Sequence, residues 1–94
     1  MPETYSDIII EYEEDGVQVI KELDREVVSK GGAWVTILFR YQQWDPKEEK
    51  FGEDQYSLRR YRKIAGEYRQ QNRFNISGAN QARKILETLQ KWIP

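Results

Sequence analysis

The stretch from Ala33 to Trp44 restricts the fold more than any other. Ala33, Val35, Ile37, Phe39 and Tyr41 alternate with Trp34, Thr36, Leu38, Arg40, Gln42 and Trp44. A period of two sends the first set to one face of a strand and the second to the other. The first face is wholly apolar and the second half apolar. That pattern predicts a central strand covered partly on both sides. Such a strand needs neighbours, so the flanking chain must supply a sheet.

Upstream, Met1 to Asp7 is polar, and residues 1–6 are expected to fray. Ile8-Ile9-Ile10 is β-branched and predicts a short strand through Tyr12, followed by a turn at Asp15-Gly16. In Val17 to Lys30, the residues Val17, Ile20, Leu23 and Val27 fit a helical stripe, while Val17, Val19, Leu23 and Val27 fit alternation. No strong cap opens a helix there, and Val and Ile favour strand, so the segment is read as a long strand ended by Gly31-Gly32. Downstream, Asp45 to Asp54 is a charged loop punctuated by Pro46 and Gly52.

Gln55 to Ile76 reads as a β-hairpin. A three-residue loop of Ile64, Ala65 and Gly66, with Gly66 left-handed, would pair Lys63 with Glu67. Tyr61 would then oppose Arg69, Arg59 oppose Gln71 and Ser57 oppose Arg73, while Tyr56 faces Phe74 and Leu58 faces Asn72. A two-residue loop would set Leu58 against Arg73 and mix apolar and charged residues on both faces, so the three-residue register is expected. It leaves one basic, aromatic face of Arg59, Tyr61, Lys63, Arg69, Gln71 and Arg73, with Arg60 and Arg62 on the core side.

Ser77 is read as the N-cap of the last element. From Gly78 to Trp92 the chain is helical, with Ala82, Ile85, Leu86, Leu89, Trp92 and Ile93 on one stripe. The fold class is therefore α+β: an antiparallel sheet of four to five strands over residues 7–76, then one C-terminal amphipathic helix over 77–93 packed on it. The 94 residues are expected to form a single domain, 1–94.

Charge is unevenly spread. Residues 1–30 carry nine acids and three bases, a balance of −6, in a chain of net charge −1. Between Gln55 and Ile85 stand eight Lys or Arg and one acid, Glu67. Such a split points either to nucleic acid or to two solvated faces of one sheet. Trp34 and Trp44 suit either packing or base stacking. The chain has no Cys and no His. Disulfides, thiolate zinc sites and His-dependent nucleophilic catalysis are thereby excluded. No apolar run is long enough to span a bilayer as a helix, and a cytoplasmic address is expected. Glu48-Glu49-Lys50 faintly resembles a metal-dependent nuclease cluster, but a charged loop does not hold a metal rigidly. No enzyme, cofactor, metal or small-molecule substrate is expected.

The element order resembles the transcriptional coactivator family typified by positive cofactor four, including its small bacterial members. The likeness spans about Val17 to Trp92. It rests on the Ala33-to-Trp44 strand, the Tyr56-to-Lys63 strand with alternating basic residues, and Phe74-Asn75-Ile76-Ser77 leading into the helix. The 45–54 loop and the hairpin loop look longer than in that family, and the Ile8-to-Ile10 strand has no counterpart there. The resemblance implies a homodimer that binds single-stranded DNA on curved sheets. DNA-facing residues would be Arg40, Arg59, Tyr61, Lys63, Arg69 and Arg73, with Trp34 or Trp44 stacking. Guanidinium groups interleaved with rings on a sheet suit single-stranded DNA or RNA in their own right. The expected function is thus a non-enzymatic, single-stranded nucleic-acid-binding accessory factor of transcription or DNA maintenance. The alternative is a protein-interaction module, in which the acidic N-terminal segment is free to fold over the basic face.

Overall fold

Six strands and one helix follow one another in the computed structural model, which describes residues 4–14 and 16–94. They are β1 (Tyr12–Glu14), β2 (Val17–Gly31), β3 (Trp34–Asp45), β4 (Lys50–Phe51), β5 (Gln55–Ile64), β6 (Glu67–Ile76) and α1 (Ala79–Trp92). The sheet is antiparallel throughout, in the order β1-β2-β3-β5-β6, with β4 paired to the end of β3. The α+β class is as expected: a curled antiparallel sheet with one C-terminal helix packed on it. The Ala33-to-Trp44 pattern does form the central strand.

The alternation in β3 decides the core. Val35, Ile37, Phe39 and Tyr41 are buried, and their partners across β5 are Tyr61, Arg59, Ser57 and Gln55. This inner face is closed by the chain's own N-terminal segment. Ile8 and Ile10 are buried against Val35, Ile37, Phe39, Tyr41, Tyr61 and Tyr68, while Ile9 between them is exposed. The expected Ile8-to-Tyr12 strand is therefore corrected. Ile8 to Ile10 is an extended strap across the sheet face, and pairing with β2 begins only at Tyr12. Apolar burial at alternate positions is worth more here than edge pairing. Within the segment expected to fray, Tyr5–Asp7 forms a 3-10 turn. Residues 1–3, and Asp15 of the Asp15-Gly16 turn, lie outside the described residues.

Arg25 ties the strap down. Its Nη2 donates to the Ile8 carbonyl at 2.7 Å and to Glu22 Oε1 at 2.6 Å. Its Nε donates to Glu22 Oε2 at 2.9 Å, and the guanidinium carbon lies 5.1 Å from the Phe39 ring centre. Bulges at Leu23 and Val28, where the β2–β3 register shifts, re-aim this long strand against β3.

The hairpin register differs from expectation. Ile64 pairs with Glu67, so the loop is the two residues Ala65 and Gly66, at φ 52° and 84°. Positive φ at both positions is a type I′ turn, whose twist matches the strands it joins. The mismatch that counted against this register is removed by a bulge. Tyr61 pairs with Gln70 but Arg60 pairs with Asn72, leaving Gln71 as the extra residue. Beyond it Leu58 opposes Phe74 and Tyr56 opposes Ile76. Two smaller corrections follow. The charged 45–54 loop contains β4, where Phe51 meets Trp44 edge to face at 5.3 Å. The helix N-cap is Gly78 rather than Ser77, since the Gly78 carbonyl accepts from Ala82 N–H at 3.1 Å, and Gln81 reaches back to accept from Ser77 N–H and Oγ at 2.9 and 3.2 Å.

Candidate nucleic-acid interface

The two-residue turn and the Gln71 bulge together redistribute the basic residues of the hairpin. Residues facing one another across an antiparallel pair share a face. Arg59 opposes Ile37 and Arg73, Tyr61 opposes Val35, and Lys63 opposes Tyr68, so these four stand on the inner face. Arg69 opposes Arg62, which opposes Trp34, and Arg60 opposes Thr36 and Asn72, on the outer face. The expected single face of Arg59, Tyr61, Lys63, Arg69, Gln71 and Arg73 is thus split in two. Arg60 and Arg62 turn away from the core instead of toward it.

The inner face is a structural network more than a surface. Tyr61 is 5% exposed and lies under the strap. Burial pushes its hydroxyl above the usual tyrosine pKa, and the Arg59 guanidinium beside it pulls the other way. Arg59 Nε donates to Ser57 Oγ at 3.0 Å, and Ser57, fully buried, donates to Asn75 Oδ1 at 2.7 Å. Arg59 also lies 5.8 Å from the Phe39 ring centre, and Lys63 Nζ 5.6 Å from that of Tyr68. A ring held this way offers no face to a base. Arg73 stays exposed at the rim.

The outer face presents an open cluster. Arg60 sits over the Trp34 ring at 4.1 Å and Arg62 at 5.5 Å. Arg60, Arg62 and Arg69 are exposed and Trp34 is half-buried. Among the described residues neither Arg60 nor Arg62 forms an ion pair, and Arg69 has only Glu67 at 4.0 Å. Next along this face runs an apolar row, Leu38–Leu58–Phe74, with Leu58 and Phe74 exposed. Arg40 lies further on, opposite Tyr56 and Asp24, with Asp54 at 3.5 Å. Trp44 is about 33 Å along the strand from Trp34 and is occupied by Phe51. The two tryptophans therefore do not share a site.

Of the expected residues, the structure groups Trp34 and Arg69 on this cluster and sets Arg40 apart on the same face. It places Arg59, Tyr61, Lys63 and Arg73 on the other face, and Gln71 in the bulge. The missed members are Arg60 and Arg62. Their side is set by β3, where Tyr61 meets Val35 and so leaves Arg60 and Arg62 outward, and the Ala65-Gly66 turn brings Arg69 to the same side.

Fold and site together define a small antiparallel-sheet protein with a strap-covered core and a cation–aromatic outer face. No family model, curated protein or solved structure matches the chain, so nothing beyond its own residues links it to the positive cofactor four family. Among the described residues no helix is long and apolar enough to cross a membrane.

Proposed function

We propose that this chain is a non-enzymatic single-stranded nucleic-acid-binding module. It acts as a homodimeric accessory factor of transcription or DNA maintenance in the cytoplasm, and it engages its ligand through the outer face. The observation that carries this reading is the stacking of Arg60 and Arg62 on Trp34 beside Arg69, whose ion pair with Glu67 is long at 4.0 Å. Three guanidinium groups on neighbouring strand positions repel one another, and phosphates relieve that repulsion by counterion release. Trp34 supplies a ring on which a base stacks when a guanidinium swings toward phosphate, and stacking is worth about 1–3 kcal/mol per base. Phe74 continues the surface as a second, more exposed ring. Sequence selectivity is not built in, because stacking and phosphate contact read no base edges.

The test is fluorescence anisotropy with a labelled oligonucleotide at low salt. The Arg60→Ala/Arg62→Ala double variant is expected to bind at least tenfold more weakly than wild type, and Arg73→Ala about equally to it. Equal binding by wild type and the double variant would refute the reading. A protein-interaction module without nucleic acid is the second reading, favoured by the uncovered apolar side chains of α1.

A further inference from the structure

The chain is flatter and more extended than its length requires. Its Cα radius of gyration is 15.1 Å, with extents of 42 × 39 × 17 Å. A compact chain of this length has a radius of about 12 Å. Its accessible surface is 7082 Å². A folded monomer of this mass exposes about 5,700 Å². The surplus, over 1,000 Å², exceeds the roughly 800 Å² that each partner contributes to a standard protein interface.

Part of that surplus is the apolar stripe of α1. No residue of the helix is buried, and Leu86, Leu89, Trp92 and Ile93 are 45–72% exposed. Ile93 continues the stripe, since its N–H still donates to the Leu89 carbonyl at 2.8 Å. The stripe has a particular symmetry. Counted from Leu89, its apolar members fall three and four residues before (Leu86, Ile85) and three and four residues after (Trp92, Ile93). Reversing the helix direction returns the same pattern. At about 100° per residue the positions flanking it are Thr88 and Gln90, which are uncharged, while Glu87 and Lys91 point to the far side. A surface that maps onto itself under reversal fits the same surface on another copy, as a two-fold axis demands.

From this we infer that two copies of the chain associate through an antiparallel pair of α1 helices crossing at Leu89. Leu86 then packs on Trp92 of the partner subunit and Ile85 on Ile93 of the partner subunit. The inference rests on the dimer named above but not on nucleic-acid binding, and it specifies which surface the second copy covers.

The mass of the full chain, measured by light scattering at tens of micromolar without nucleic acid, is expected to be twice 11.3 kDa. Leu89→Asp is expected to halve it while the circular dichroism spectrum is kept. Because the chain has no cysteine, a single Leu89→Cys substitution reports the axis directly. Two thiols can join only where their Cβ atoms come within about 4.5 Å. With an added oxidant, Leu89→Cys is expected to give a covalent dimer in high yield, and Glu87→Cys, on the far side, little. A monomeric wild type, or a dimer in which Glu87→Cys links as readily as Leu89→Cys, would overturn the placement. Either result leaves the oligonucleotide titration to be judged separately.

Discussion

The guanidinium of Arg25 on β2 holds the carbonyl of Ile8 at 2.7 Å, joining the N-terminal strap to the long strand beneath it. The same side chain clamps Glu22 through two hydrogen bonds and caps the Phe39 ring. One cation thus joins strap, sheet and core. Replacing Arg25 with Ala strips Glu22 of its partner and frees the Ile8 carbonyl. The pair is only partly buried, with side-chain exposures of 27% and 17%. A loss of about 2 kcal/mol in urea unfolding is therefore expected, below the cost of breaking a fully buried pair.

The strap's alternation makes a matched comparison. Ile8 is 2% exposed and Ile9 is 74% exposed. Ile8→Ala is expected to cost about 2–4 kcal/mol, since it empties a core position. Ile9→Ala should change stability by less than about 0.5 kcal/mol. Equal effects would mean that the strap does not close the core. Urea midpoints at constant slope decide between them.

Tyr61 sets an alkaline limit. Its hydroxyl titrates above the ordinary value of 10.0 because burial disfavours the phenolate. The folded state therefore holds this proton more tightly than the unfolded chain. The contribution is full below about pH 10 and is lost as pH rises through the folded-state pKa. Denaturation midpoints measured upward from pH 9 should fall more steeply in wild type than in Tyr61→Phe.

The hairpin turn is built with a suboptimal residue. Ala65 holds φ 52°, a left-handed conformation that costs a residue with a Cβ about 1 kcal/mol. Ala65→Asn creates the favoured Asn-Gly pair and is expected to raise stability by about 0.5–1 kcal/mol. If the three-residue loop formed in solution, the substitution would bring no such gain.

Element positions were legible in the chain because they follow from periodicity. The alternation of Ala33 to Trp44 marks β3, and the stripe from Ala82 to Ile93 marks α1. Face assignments in the hairpin were not, because a face depends on every residue between turn and core. The two-residue turn sets Arg69 opposite Arg62, away from Arg59, and the bulged Gln71 brings Arg73 to the side of Arg59. The strap was illegible for a different reason. Ile8 and Ile10 alternate as a strand would, and only tertiary packing shows that they cover a sheet instead of extending one. The composition of the candidate surface was therefore partly visible, while its membership depended on the turn register and on how β5 pairs with β3.

Phosphate contact carries its own signature. Removing one cation that touches the backbone lowers the salt dependence of binding by about one counterion. Arg62→Ala should therefore bind more weakly and with a shallower salt slope. Trp34→Ala should lose affinity with the slope unchanged, because stacking releases no counterions.

Backbone amide shifts, followed by nuclear magnetic resonance during titration with a single-stranded oligonucleotide, test the outer face most directly. Trp34, Arg60, Arg62, Arg69 and Phe74 are expected to move together and saturate at one affinity, while the strap residues Ile8 and Ile10 hold still. Shifts centred on Tyr61, Tyr68 and the strap would mean that the ligand opens the inner face instead. A titration that moves neither set would contradict nucleic-acid binding altogether.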